Sequence, residues 1–451
     1  LADILDNVKK LIKRDKEDKK YFSSDSPTCF CSIFGGKKEM DDIKETCAKA
    51  MEKNPDNTDV IILNAKMAAS DGRFNDAESL FMKAFSKDTQ SADLKFYIAD
   101  IYYNQGRLKE AEEEMLKLTS EKTSYAPAHL LLGRIYFHQD KMEESAKAFK
   151  KAIAFKKSYA DAYLGLGGVY ASLGKLKEAE TAHRHAIAAN KKYADAHTGL
   201  GWILYFQGEL KGAEAEFLKA VVLKPNEADI YIGLGWVFYK QGKYEEAEAE
   251  FLKASKIRPA DADAYIGLGW VYYQLYGKAD SYLRASENFV KAIDLNQFYP
   301  DAHIGLGWVY VQTDDLKNAE KEFKTAIGQN AENADALSGL GWLYYKWPKQ
   351  AKLEEAEECF RKAAELSPKD HEIRLGLGWV KLMKGRIKDA EKEFLSAQKT
   401  APNNPEIAVA LGTLYDKSGN KSKAEAMYKK ARAAAARVKK HNGEEEPMQG
   451  R

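Results

Sequence analysis

The residues able to do chemistry in this sequence are few and scattered. The eight histidines are His129, His138, His183, His185, His197, His303, His371 and His441. Three of them, His129, His197 and His303, take one position of a recurring segment, where Tyr163, Tyr231 and Tyr265 stand in other copies. Packed helical units lie about 10 Å apart, too far for bonds of about 2 Å to a shared zinc ion. His183 and His185 are two residues apart and point differently on a helix. Cys29 and Cys31 form a Cys-Phe-Cys triplet, with Cys47 further on and Cys359 remote. Such a pair can hold metal or exchange disulfides, but no second pair completes a four-ligand site. Burial as core thiols is the expected role, with an internal disulfide or redox exchange among Cys29, Cys31 and Cys47 as alternatives. Gly-Leu-Gly recurs at 165–167, 199–201, 233–235, 267–269, 305–307, 339–341 and 376–378. It is not a phosphate-cradling loop, because each copy lies inside a helical pattern. It implies repeated close approach of helices, or a concave surface shaped by missing side chains. No catalytic constellation, metal or cofactor is expected.

The elements that carry these residues repeat. The second glycine of each triplet falls at Gly167, Gly201, Gly235, Gly269, Gly307, Gly341 and Gly378, and Gly133 and Gly412 keep the register. Ala99 and Ala65 extend it toward the N-terminus. Most steps are 34 residues; two are longer, 38 from Gly269 to Gly307 and 37 from Gly341 to Gly378. A fixed period of this size means stacked supersecondary units. Around Gly235, Tyr231, Leu234 and Phe238 recur at helical spacing, a turn follows at Gly242, and Ala247, Phe251 and Ala254 mark a second helix. Pro225 and Pro259 follow such second helices, where a missing N–H favours a stop.

The set Leu234, Gly235, Phe238, Ala247, Phe251, Ala254 and Pro259 resembles the tetratricopeptide repeat. It returns as Leu200, Gly201, Leu204, Ala213, Phe217, Ala220 and Pro225, and again as Leu377, Gly378, Lys381, Ala390, Phe394, Ala397 and Pro402. Lys381 departs from the usual aromatic. The resemblance implies an all-α, right-handed α-solenoid of helix–turn–helix repeats. Twelve units align over 24–435, the first of them weak. An N-terminal capping helix is expected over 1–23 and a polar tail over 436–451. Longer units fall near 270–290 and 342–360. Their added residues, including Trp347, are expected as lengthened turns, or as protrusions facing a partner.

An aromatic series is the clearest surface feature. Trp202, Trp236, Trp270, Trp308, Trp342 and Trp379 directly follow the ruler glycines, and Tyr205, Tyr239, Tyr273 and Tyr345 stand three residues beyond four of them. That offset puts each pair on one helix face. In tetratricopeptide proteins this position faces the concave groove, so the resemblance implies an aromatic ladder. Two roles are open: filling space left by the glycines, or binding a protein segment with few ionic clamps nearby. Glycine and tryptophan, as at Gly233 and Trp236, replace the asparagines of family members that clamp a terminal carboxylate.

Composition narrows the function further. The chain has 451 residues, 70 Lys+Arg against 68 Asp+Glu, and a net charge of +2. That balance lacks the positive excess of a nucleic-acid site. No run approaches the roughly 18 apolar residues that span a bilayer. The expectation is a non-catalytic adaptor or scaffold for a protein or peptide. Alternatives are a recruiting or regulatory subunit of a separate enzyme, or a self-associating structural protein. A cytoplasmic location is favoured over a periplasmic or extracellular one reached through a removed leader.

Overall fold

The computed structural model describes residues 37–275, 280–347 and 352–441. The expected capping helix over 1–23, Cys29, Cys31 and the end of the tail lie outside the described residues. So do Lys278 and Pro348 of the two longer units. Among the described residues there are 23 helices and no strand. The chain divides into two compact units, Leu1–Asn226 and Glu227–Arg451.

In the first unit, helix Lys37–Lys53 precedes five pairs, from Thr58–Ser70 with Phe74–Phe85 to Ala194–Gln207 with Leu210–Leu223. The second unit holds six pairs, from Ala228–Lys240 with Tyr244–Ile257 to Pro405–Lys417 with Lys421–His441. Each unit is thus a solenoid of antiparallel helix pairs. The first helix of a pair, here A, is apolar nearly all round because neighbours cover it on several sides. Ala228–Lys240 buries Ile230, Tyr231, Ile232, Leu234 and Val237. The second helix, B, has one narrow stripe: Tyr244–Ile257 buries only Ala247, Phe251 and Ala254.

The turn from A to B needs a residue with positive φ. Gly242 supplies it at 77°. Where glycine is missing, Asp140, Asp280 and Asp314 adopt φ of 60–62°, since aspartate tolerates the left-handed region better than most residues.

The Gly-Leu-Gly triplets serve close helix approach. A β-carbon on Gly235 would lie 2.7 Å from the Phe251 ring of its own B helix. One on Gly267, the first glycine of the next triplet, would collide with the same ring from the other side. Gly269 and Gly305 flank Phe289 in the same way, and Gly307 and Gly339 flank Phe323. The two glycines of a triplet therefore belong to two different locks. Each ring, 0% exposed at Phe251, Phe289 and Phe323, joins its own pair to the next A helix.

One lock differs. His183 stands where the others have phenylalanine, between Gly167 and Gly199. It is 4% exposed, and its Nδ1 has no hydrogen-bond partner. Burial pushes its pKa from near 6.5 down to about 4. The unfolded chain therefore takes up a proton before the folded one does. The lock's stability is complete above pH 6.5 and is lost as pH falls through 4, on the order of 3 kcal/mol.

Two outcomes follow from this packing. Gly305→Ala, which drives a methyl into Phe289, should destabilise by about 1–3 kcal/mol. Gly168→Ala, at a helical glycine with nothing within 4 Å of its would-be β-carbon, should stabilise by about 0.5–1 kcal/mol. Thermal melts of the two variants should shift in opposite directions. Across pH 6.5 to 4, His183→Phe should flatten the fall in melting temperature seen for the parent chain; an unchanged profile counts against the buried imidazole as its source.

Candidate functional site

The residue after a ruler glycine is rotated about 100° around the helix axis. While the glycine faces the phenylalanine, the tryptophan is carried to its flank. Each indole stands edge-on to its own repeat's ring, with centroids 5.3 Å apart for Trp236–Phe251 and Trp342–Phe360 and 5.4–5.6 Å for Trp202–Phe217, Trp270–Phe289, Trp308–Phe323 and Trp379–Phe394. The glycine space itself is filled by phenylalanine, because that ring reaches it from the facing helix. Phenylalanine is nearest to those spaces, and Trp270, Trp308 and Trp342 also pack against the core. All six indoles are half-buried.

The tyrosines brace them. Tyr205, Tyr239, Tyr273 and Tyr345 meet Trp202, Trp236, Trp270 and Trp342 at centroid separations of 5.5–5.7 Å. Two of their hydroxyls accept from the next repeat: Gln274 Nε2 donates to Tyr239 at 3.1 Å, and Gln312 Nε2 to Tyr273 at 2.9 Å.

In the second unit Trp236, Trp270 and Trp308 line one hollow of about 340 Å³, with Ile266 and Ile304 between them. Trp342 and Trp379 are not part of its wall, and Trp202 belongs to the other unit. The expectation of few charges beside the ladder is corrected here. Asp301, Asp335, Asp370 and Glu372 line the same hollow, with the hydroxyl of Ser338. Asp301, Asp335 and Glu372 each lie seven residues, two helical turns, before the indole of their own helix, and Asp370 caps the helix of Glu372, so their nearness to the ladder is not evident from adjacent positions.

Most of them belong to a second ladder, the acid at the second position of successive A helices. Earlier rungs have partners. The Tyr193 hydroxyl donates to Asp161 and Tyr299 to Asp263, while Lys224 pairs with Asp195 at 2.6 Å and Arg258 with Asp229 at 2.7 Å. The partner positions for Asp301 hold Asn330 and Asn333, for Asp335 Ser367 and Asp370, and for Glu372 Ala401 and Asn404. Asn333, Asp370 and Asn404 turn to cap the following helices instead. The side chains of Asp301, Asp335 and Glu372 are exposed, but protein crowded around the carboxyls displaces part of their water. That loss of water, then the carboxylates of Asp335 and Asp263, push the Asp301 pKa up. The same loss and then Asp370 raise Asp335, and the loss with Asp370 foremost among its neighbours raises Glu372.

The other sequence candidates are packed away. His129 Nε2 lies 2.7 Å from the Thr123 carbonyl, and His197 and His303 each place Nδ1 2.6 Å from a glutamate, Glu216 and Glu322. Buried Cys47 and half-buried Cys359 are free thiols, pushed by burial up to about 12 and about 11. Lys381, the departure from the aromatic signature, reaches Glu393 at 2.7 Å, and Arg374 meets the same carboxylate at 3.0 Å. Trp347 lies under the Lys352 ammonium, 4.2 Å from its ring centroid. A larger hollow of about 640 Å³ lies in the first unit beside Ile187, Leu200 and Val222. Its acid, Glu216, is already taken by His197 and Lys219. Among the described residues, no group of three or more His, Cys, Asp or Glu is arranged to hold a metal ion. No described helix is long and apolar enough to cross a membrane.

Family comparison agrees with the repeat. Segments 133–174, 201–242 and 235–275 match one tetratricopeptide repeat family, and 68–135 and 349–408 match another. Residues 304–346, 160–198 and 405–432 match further tetratricopeptide families. The chain is a tetratricopeptide repeat protein. No curated protein matches it. Among solved structures, the Cut9–Hcn1 hetero-tetramer of the APC/C is 14% identical over 89% of this chain and 93% of that one, with a TM-score of 0.50. A human IFIT1 dimer with PPP-AAAA is 16% identical over 89% and 95%, with a TM-score of 0.51. At these identities the likeness is one of fold alone.

Within this tetratricopeptide chain the ladder is partly structural, and that is measurable. Trp308→Ala removes the edge contact with Phe323 and should cost about 1–3 kcal/mol in chemical denaturation. A variant as stable as the parent would mean that the indole contributes nothing to packing.

Proposed function

We propose that this tetratricopeptide protein is a non-catalytic scaffold that holds a protein segment in the hollow of its second unit. One observation carries the reading. Three half-buried indoles, each packed edge-on against a buried phenylalanine, line a shared hollow. Such side chains present large apolar area with little conformational freedom left to lose, the usual character of a binding hot spot. The hollow also speaks against a nucleic-acid ligand, because its carboxylates would repel phosphates. A role as recruiting subunit of a separate enzyme uses the same surface and differs only in the partner's identity.

The test compares Trp270→Ala with a change on an exposed B-helix face, Lys253→Ala. Proteins captured by the parent chain are mapped to the bound segment with overlapping peptides, and affinities are measured by calorimetry. Trp270→Ala should weaken the mapped segment by about 2 kcal/mol or more, with Lys253→Ala unchanged. Full affinity in a folded Trp270→Ala chain would remove the hollow as the site. Recovery of one stable enzyme would identify the recruiting role.

A further inference from the structure

We propose that the hollow of the second unit selects an extended segment carrying arginine or lysine at about every third residue. This rests on the reading of that hollow as a protein-binding site and names the chemistry of its occupant. Two independent features point to it. The first is a row of carboxylates that the fold leaves without cations. Asp301, Asp335 and Glu372 have neither an ion pair nor a hydrogen bond to their carboxylates among the described residues. The equivalent Asp195 and Asp229 are neutralised by Lys224 and Arg258. The difference is local to this row: the basic and phenolic partners of earlier repeats are replaced by Asn330, Asn333, Ser367, Ala401 and Asn404. These three acids are exposed and repel one another, and an incoming cation relieves that repulsion while choosing the ligand.

The second feature is the wall beside them. Trp270 and Trp308 present ring surface next to the carboxylates, suited to the stem of a lysine or the plane of a guanidinium. Ser338 lines the same hollow, is 9% exposed, and makes no hydrogen bond to a described residue. It is a buried hydroxyl ready for a backbone or side-chain group of the ligand. Neighbouring rungs lie about 10 Å apart, which a segment in the extended polyproline II conformation covers in one turn of three residues, at about 3.1 Å each, with every third side chain on the same face. A basic side chain at every third position therefore meets successive acids, while the residues between them face the indoles and isoleucines.

The experiment uses the full chain, immobilised, and two pooled twelve-residue peptide libraries. Every third position is fixed as arginine in one and glutamine in the other, and the remaining positions are randomised. The arginine pool should be retained at least about tenfold over the glutamine pool, and less so as salt is added. A chain carrying Asp301→Asn, Asp335→Asn and Glu372→Gln should lose about 10- to 100-fold in affinity for the retained arginine peptides. Its affinity for glutamine peptides should not change. Circular dichroism melts check that the triple variant folds, and Asp335→Asn alone repeats the test if it does not. Equal retention of both pools, with binding lost in Trp270→Ala, overturns the basic ligand and leaves the protein-binding hollow standing. Arginine peptides that bind the triple variant as tightly as the parent also overturn it. Retention of neither pool, or retention indifferent to Trp270, overturns both.

Discussion

A phenylalanine ring held between two glycines is the constraint on which the rest of this structure depends. Phe289 touches Gly269 on its own A helix and Gly305 on the next, at distances that leave no room for a methyl group. Each A helix with a Gly-Leu-Gly triplet therefore carries two glycines, one for the ring behind it and one for the ring ahead. A helical glycine costs about 0.5–1 kcal/mol in propensity relative to alanine. Here that cost is offset by burying a whole aromatic ring between three helices. The variation at His183 keeps the geometry and changes the chemistry, because an imidazole fills much of the same space but resists being charged there.

The lock also sets the surface. Once the ruler glycine faces the ring, the next residue must stand at its flank, and an indole there packs one edge on the phenylalanine. The tryptophan thus packs on the core while staying half-buried. A second ladder runs alongside, of acids at the second position of the A helices. In earlier repeats these acids join neighbouring elements through Tyr193, Lys224, Arg258 and Tyr299. In the later repeats of the second unit the partners are gone, and the carboxylates stand in the hollow with the indoles. The same backbone repeat therefore carries an internally neutralised stretch and a charged one.

What the sequence by itself determined is whatever recurs with the repeat, 34 residues long in most copies: the helix pairs, the Ala–Phe–Ala stripe, the glycine triplets and the tryptophan after each of six ruler glycines. Each is written in local spacing, and the helical period of 3.6 residues converts spacing directly into a face. What only the tertiary structure decided is which side chain meets which across repeats. That Phe289 serves Gly305 as well as Gly269, that Lys381 completes a pair with Glu393, and that aspartates could replace glycine at Asp140, Asp280 and Asp314 all depend on contacts or backbone angles that the period does not encode. The charges beside the ladder show the point best. Asp301 and Asp229 look alike in sequence, and differ only because a residue 29 positions after Asp229 is arginine while its counterpart after Asp301 is asparagine. Charge pairing acts over a few ångströms between residues a full repeat apart, so the folded chain was needed to show which acids remain unpaired.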